Sequence, residues 1–460
     1  MTSSGSILVF DLGTTNFKGT LFDFSGGLLA LARVPTPFTN TRGPLSEIAV
    51  PAFENALRAL ARELRQSAPD AYASVRAVTF ASQTNTFTLL DADDEPLTPF
   101  VVWNDRRASG SGALLDRLQA LPGFHATTGV PGLSPEFMAA KLHWFQEQTP
   151  ELWERVARIA LISDYFTWRF TGKFVSEAGA AGLTGLVDIH ALDWWPEALT
   201  VAGLERDALA EIVRAGTALG AIIPTAAADF GLPADCAFVA GCLDQYAGAI
   251  GAGNVAAGRV SETTGTVLAA VRCASEFEPA PGSSVFWGPA AVSGCYYQML
   301  FGDISGNLLE AFRNALPEPV DFDFLGRLAA GTAATHLELP GDLDTPALLE
   351  HVRGWARNEP TGAAVRAILE GVAAALEKQV AQLCGAARPA ELHSVGGAAR
   401  STVWMQIKAN TLNLPFRAVA CPEPTSLGAA LLAIHGLTGA PLAELVERCV
   451  QLAPAVSPQC

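Results

Sequence analysis

Apolar positions along this chain follow two rhythms. One is the short continuous run of a buried strand. The stretches 6-SILVF-10, 75-VRAVTFAS-82 and 237-AFVAG-241 have the branched and aromatic content of sheet interiors, and each leads into glycine or short polar residues. The other is the helical period: in 51-PAFENALRALARELRQ-66, Phe53, Leu57, Leu60 and Leu64 share one face. The same pattern predicts helices over 138–156, 363–385 and 402–413, and a small-residue helix over 426–437 able to pack closely on a neighbour. Residues 7–34 read as a strand, a glycine turn and further strands. A hairpin is expected over 86–107 with its turn at Asp91–Glu95, and residues 111–240 read as mainly helical.

The second half repeats the theme of the first. A strand and turn occupy 259–270, and 391-ELHSV-395 leads through Gly396 and Gly397 towards the helix at 402. Gly-Thr turns after strands stand in both halves, at Gly13-Thr14 and Gly265-Thr266. The expectation is an α/β fold of two related domains facing one another across a phosphate, residues 1–245 and 246–460, with the boundary near 240–255. A chain of 460 residues is long for one core, which supports two.

Composition narrows the class. Half of the residues are apolar and 17% charged, as in ordinary folded proteins. The net charge of −16 argues against a nucleic-acid groove or an anionic membrane surface as partner, but not against a local phosphate site. Eight cysteines, Cys236 to Cys460, form no C-x-x-C and no zinc spacing, so free thiols in a reducing cytoplasm are expected. The start, MTSSGS, lacks the pattern of a signal peptide, and no apolar run has the length of a membrane span. A soluble cytoplasmic protein is the expectation, and a homodimer is compatible with the sequence.

The candidate chemistry lies in 11-DLGTTNFKG-19 and 241-GCLDQYAGAIGAG-253. Asp11 ends a strand; Gly13 permits a tight turn, Thr14, Thr15 and Asn16 offer short donors, and Lys18 offers a cation. That is a phosphate-facing hairpin whose acid can hold Mg²⁺ through water. Asp244 ends a second strand, with Gln245 beside it, and is the candidate base for the proton of an alcohol. Asp244 could also simply cap the helix behind it, and Asp11 could serve its own turn. Thr264, Gly265 and Thr266 are candidates to clamp phosphates, or else an ordinary β-turn. Gly396, Gly397 and Ala398 can bring backbone close to a flat base, with Arg400 and Ser401 following, or can serve only the connection. Trp103 offers a face for C–H groups, with Asn104, Asp105, Gln83, Thr84 and Asn85 as hydroxyl-binding groups. Arg106 and Arg107 read as structural or surface ion pairs.

Two trails close on inspection. The segment 251-GAGNVA-256 matches a dinucleotide fingerprint but sits in or after a helix, and no Walker A pattern occurs.

Taken together, these segments resemble the FGGY carbohydrate kinases, within the actin/Hsp70/hexokinase superfamily, from roughly Ile7 to Leu437. DLGTTNFKG resembles the family's first phosphate motif, GCLDQ the segment of its catalytic Asp, and Gly265-Thr266 its second phosphate loop. VGGAARS with W-x-Q-I-x-A-N resembles the adenosine site, and TSLGAALLA the closing helix. In the first half, LLDADDEPLTPFVVWNDRRA and TGKFVSEAGAAGLTGLVDI are most similar to xylulokinases. The resemblance implies two ribonuclease-H-like domains around an interdomain active-site cleft. It also implies ATP and Mg²⁺, the metal held by Asp11 and Asp244, and transfer of the γ-phosphoryl group to a terminal hydroxyl of a ketose.

The chain departs from that family at informative places. Gln83-Thr84-Asn85-Thr86 stands where ketose kinases read Gln-Met-His-Gly, and Gln245 follows Asp244 as in glycerol kinases, where xylulokinases prefer Asn. Val267 replaces a small residue, and 337–351 is a shortened form of the Gly-Glu-Arg-Thr-Pro region. A pentulose such as xylulose is the first expectation. Hexuloses, longer ketoses, tetruloses, glycerol and erythritol are alternatives, as are a nucleotide-driven conformational protein and a non-catalytic sugar-binding regulator.

Overall fold

A computed structural model describes residues 5–265, 267–280, 282–332, 335–341 and 343–459. The chain forms two compact units. The first comprises Met1–Gly251, Ser275–Tyr297 and Thr425–Cys449, and the second Ala252–Ala274, Gln298–Pro424 and Val450–Cys460. The chain therefore leaves the first unit after Gly251 and returns to it twice.

The first unit is built on strands β1 (Ser6–Leu12), β2 (Asn16–Asp23) and β3 (Leu28–Pro35), which form an antiparallel meander. Helix α1 (Val50–Ser67) follows, and then β4 (Val75–Ser82), which returns parallel to β1. Helices α2 (Met138–Gln148) and α3 (Ile162–Thr171) precede β5 (Ala218–Ala221), β6 (Ala237–Val239) and β7 (Cys242–Leu243). The sheet order is β5-β6-β4-β1-β2-β3, with β7 also paired parallel to β4. Every residue of β1 is buried, as its unbroken apolar run requires of a central strand. Phe53, Leu57, Leu60 and Leu64 all turn inward from α1, which packs on β2 and β3. Phe10, Phe166, Phe170, Phe230 and Phe238 form the aromatic centre of the core, with Phe166 and Phe170 ring centroids 4.7 Å apart.

Two elements differ from expectation for local reasons. The helix expected over 138–156 stops at Gln148, because Pro150 cannot continue it and starts a short helix of its own. The mainly helical region 111–240 is interleaved with short strands such as Arg158–Leu161, which pairs with the expected hairpin at Phe87–Leu90.

After β7 comes α4 (Asp244–Gly251). The second unit then uses β8 (Val260–Thr264), β9 (Leu268–Ala274), β10 (Tyr296–Gly302), α5 (Thr361–Cys384), β11 (Leu392–Val395), α6 (Thr402–Leu412) and β12 (Phe416–Ala418). The order β10-β9-β8-β11-β12 has β8 antiparallel to β9 and parallel to β11, the arrangement of β3-β2-β1-β4-β6 in the first unit. Both units thus carry one mixed five-strand motif, duplicated. Helix α7 (Pro424–Thr438) belongs to the first unit and lies on α4. A Cβ at Gly428 would stand 1.9 Å from the carbonyl oxygen of Ala247, so only glycine permits this approach.

The seven described cysteines are free thiols. Among the described residues no helix is long and apolar enough to cross a membrane, and no cluster of three His, Cys, Asp or Glu could hold a metal.

Candidate active site

In the first unit the parallel pairing of β1, β4 and β7 brings the two acidic motifs to one end of the sheet. Asp11 and Cys242 both lie beside Ala81, and Leu12 and Leu243 both lie beside Ser82. Gly13, Gln83 and Asp244 then follow the three strands at the edge where mixed sheets meet ligands. Gly241 makes this possible: a Cβ there would stand 1.7 Å from the carbonyl oxygen of Phe80.

Asp11 is buried and pairs with Lys18, its register partner on β2, at 3.3 Å. Asp244 heads α4, and its Oδ1 accepts the N–H of Gln245 at 2.7 Å. This bond, to the N–H of the very next residue, occupies one oxygen of the carboxylate. The other, Oδ2, takes no hydrogen bond from any described residue. Burial, and then the charge of Asp11, push the Asp244 carboxyl up to about 7, against the Gln245 N–H and Lys18.

The hairpin between β1 and β2 is tied to the segment expected to meet a sugar. Trp103, 36% exposed, donates from Nε1 to Thr14 Oγ1 at 2.8 Å. Its backbone N–H donates to Thr86 Oγ1 at 2.9 Å, and that hydroxyl donates to Gln83 Oε1 at 2.9 Å. Gln83 Nε2 in turn donates to the carbonyls of Leu12 and Gly13, at 3.2 and 3.3 Å. Thr36 holds the Gly13 carbonyl from the other side at 3.0 Å. Thr15, Asn16, Asn104 and Gln245 are exposed or half-buried near these elements.

Several expected hydroxyl-binding groups have a different task. Asp105 is fully buried and accepts the Ser46 N–H at 2.7 Å and the Arg107 guanidinium at 2.8 Å. Arg107 also reaches Glu47 at 2.6 Å, so this carboxylate anchors a buried ion-pair cluster and does not face a ligand. Gln83 is committed as described. Asn85, at φ +57°, donates to the Leu183 carbonyl and accepts the Met138 N–H that opens α2. Thr84 donates to the Ala180 carbonyl at 2.6 Å. These residues build the wall; Trp103 and Asn104 face outward from it.

Two supporting residues escaped sequence reasoning. Lys141 on α2 is fully buried and donates to the carbonyls of Trp103, Val102 and Asn85 at 2.7, 2.9 and 3.4 Å. Burial pulls its pKa down to about 7, against nearby Asp105. Glu177 accepts from Gly179 and Ala180 as a helix cap and also from the Leu243 N–H at 3.2 Å, one residue before Asp244. Glu is not among the residues preferred at a helix start, so neither its capping of AGAAG nor its reach to Leu243, 66 positions away, is legible locally.

In the second unit, β8 delivers Thr264 and Gly265. Thr264 Oγ1 donates to Glu262 Oε2 at 2.7 Å and accepts from Lys408 Nζ at 2.8 Å. Lys408 and Glu262, neither exposed, pair at 2.7 Å, and Ser394 donates to the same Glu262 oxygen. Ser305 and Gly306 donate to the Gly265 carbonyl at 2.8 and 3.0 Å. Thr266 lies outside the described residues. Gly396, at φ +89°, turns so tightly against β8 that a Cβ would meet the Thr264 carbonyl oxygen at 3.0 Å. The two glycine turns expected at the nucleotide are thus neighbours. Gly397–Arg400 is a 3₁₀ turn with Ala398 buried and Arg400 exposed, and Ser401 caps α6 by accepting the Trp404 N–H at 3.3 Å.

Two duplicated α/β units, each ending its first strand in a glycine turn among hydroxyl groups, follow the plan of the actin-like fold. Comparison with known proteins makes the assignment specific. Residues 6–251 match the N-terminal domain, and residues 341–437 the C-terminal domain, of the FGGY family of carbohydrate kinases. The xylulose kinase of Lactococcus lactis is 27% identical over 94% of this chain and 87% of its own length. The L-fuculokinase of Salmonella typhi is 28% identical over 94% of this chain and 92% of its own length. The ligand-bound structure of xylulose kinase from Lactobacillus acidophilus superposes with a TM-score of 0.87 at 22% identity, covering 99% of this chain and 94% of that one. The chain belongs to the FGGY family of carbohydrate kinases, and it is a sugar kinase that uses ATP.

Proposed function

We propose that the protein transfers the γ-phosphoryl group of ATP to a terminal hydroxyl of a ketose, with a pentulose such as xylulose first. The observation that carries the mechanism is the Asp244 carboxylate at the sheet end beside Asp11, with Oδ1 held by its own helix and Oδ2 without a partner among the described residues. A sugar hydroxyl is a poor nucleophile at neutral pH. As its oxygen bonds to phosphorus and the bond to ADP breaks, its proton passes to Asp244 Oδ2. Its elevated pKa, near the pH of the cell, supports that role.

Asp11, Gly13, Thr14, Thr15, Asn16 and Lys18 are proposed to meet phosphate from the first unit. Thr264, Gly265, Thr266, Gly396, Gly397, Ala398, Arg400 and Ser401 are proposed to meet the nucleotide from the second. The hard-oxygen chemistry of two adjacent carboxylates fits Mg²⁺, which binds through one or two carboxylates and keeps several waters. Asp11 and Asp244 would hold it, and when bound it supplies charge neutralisation at the phosphates. Trp103, Asn104 and Gln245 are proposed to meet the sugar.

The xylulose kinase resemblance supports a pentulose, while a relative named for L-fuculose matches equally well. Gln245 is the glycerol-kinase choice at that position. The test is ADP release with Mg²⁺-ATP across xylulose, ribulose, fuculose, fructose, erythrulose, glycerol and erythritol, with a no-sugar control. Strong stimulation by a pentulose supports the reading. Stimulation only by another acceptor reassigns the substrate, and equal release throughout removes the ketose assignment.

A further inference from the structure

A cavity of about 460 Å³ opens on the second unit, lined by Gly258, Arg259, Arg272, Arg388, Glu391 and His393 among others. The three arginines come from three separate segments: the turn before β8, the middle of β9, and the connection after α5. Register brings them together. Val260 pairs with Arg272 on one side and with Leu392 on the other, so the cavity lies at the start of β8. Thr264 and Gly265, read above as a phosphate loop, lie at the opposite end of that strand.

None of the three guanidinium groups is paired with a carboxylate among the described residues. Arg272 Nη1 donates to Gln298 Oε1 at 2.8 Å and the Leu383 carbonyl at 3.1 Å, while its Nε is buried without a partner. Arg388 Nη2 donates to the Leu412 carbonyl at 2.9 Å. These acceptors are all neutral. The one acid in the lining, Glu391, has Oε1 against His393 Nε2 at 3.1 Å. Arg272 and Arg388 both lie close enough to pull down the Cys384 thiol, which burial pushes up.

A chain with 46 acidic and 30 basic residues has ample acid to pair these arginines, yet no carboxylate among the described residues does so. Arg272, half-buried and bonded only to neutral acceptors, keeps an uncompensated charge that an anion relieves, and the exposed Arg259 and Arg388 can close on the same anion. The planar guanidinium fork matches the oxygens of a phosphoryl group in two-point contact. We propose that this cavity binds the phosphoryl group of a small soluble anion, at a site separate from the one that transfers phosphate. Free phosphate and a phosphorylated sugar present the same chemistry, and the experiment separates them.

Protein saturated with a non-hydrolysable ATP analogue and Mg²⁺ is titrated calorimetrically with inorganic phosphate and, separately, with xylulose 5-phosphate. The comparison is the Arg259→Ala/Arg388→Ala double variant. Both side chains are exposed, so circular dichroism and basal kinase activity should match the parent. The expected result is one equivalent of at least one probe bound to the parent, with affinity at least tenfold weaker in the double variant. Binding of inorganic phosphate identifies free phosphate as sufficient; binding of the sugar phosphate alone identifies a metabolite site. Absence of binding by both probes, or equal affinity in parent and double variant, overturns the proposal.

Discussion

Trp103 Nε1 donates to Thr14 Oγ1 across 89 positions of sequence, at 2.8 Å. The bond joins the indole proposed to meet the sugar to the hairpin proposed to meet phosphate. A second path, through Thr86 and Gln83, reaches the carbonyls of Leu12 and Gly13. The two proposed ligand-binding edges of the first unit are therefore one hydrogen-bonded frame. Trp103→Phe keeps the ring and removes the direct bond, worth about 1 kcal/mol. The expected outcome is a roughly fivefold loss in kcat/KM for the sugar. Thr14→Val should produce a similar loss, and the double variant less than the sum, because both remove one bond. Additive losses would separate the two residues.

Asp244→Asn preserves the shape of the side chain and removes the base. Sugar-dependent ADP release should fall by about 10²–10⁴-fold, the range of a positioned general base. Nucleotide affinity, followed by fluorescence titration, should change by no more than about threefold. Turnover at parental rates in this variant would falsify the assignment of the base.

Lys408→Met leaves the Glu262 carboxylate buried without its cation. Breaking a buried pair from one side costs about 3–5 kcal/mol, whereas replacing both partners costs much less. Urea denaturation should show a large loss for Lys408→Met and substantial recovery in Glu262→Gln/Lys408→Met. Because Thr264 accepts from Lys408 and donates to Glu262, the KM for ATP should rise in both variants while the KM for sugar stays near the parent. An unchanged KM for ATP in the double variant would leave the network a purely structural role.

Stability should fall as pH rises from about 5 to 7, below the range in which buried Lys141 gives up its proton and opposes the trend. Burial holds Asp164 up to about 8 and Glu177 up to about 7. Each carboxyl binds its proton more tightly in the folded chain than in the unfolded one. Their contribution is complete below the unfolded values near 4 and is lost as pH rises through the folded values. Each group can contribute at most about 1.4 kcal/mol per pH unit. Asp164→Asn should flatten the slope of unfolding free energy against pH, measured by denaturant titration at fixed salt. An identical slope in the variant would show that Asp164 does not titrate in that window.

The strands and helices were legible because their signals are local. The unbroken apolar run at 6–10, the face formed by Phe53, Leu57, Leu60 and Leu64, and the glycine turns all act within a few residues of chain. The helix expected over 138–156 ran past its own stop signal, since Pro150 stands in the sequence and ends it at Gln148. Asp244 and Asp11 could be proposed as partners because both end strands in recognisable surroundings. Asp105 could not be assigned in the same way. Its Trp-Asn-Asp-Arg context suggests a ligand, but the Ser46 N–H and the Glu47–Arg107 pair enclose it.

The sequence by itself determined the long elements, the duplicated plan and the family, since apolar periodicity, turn chemistry and short motifs need no distant neighbour, whereas short strands such as Arg158–Leu161 take their form from the partners they pair with. Only the tertiary structure decided what the polar side chains between those elements do. Lys408 meets Glu262 from 146 positions away, and Lys141 meets the Trp103 carbonyl from 38. Whether a buried carboxylate or ammonium anchors the fold or faces a ligand depends on which partners satisfy it, and folding brings those partners from remote parts of the chain.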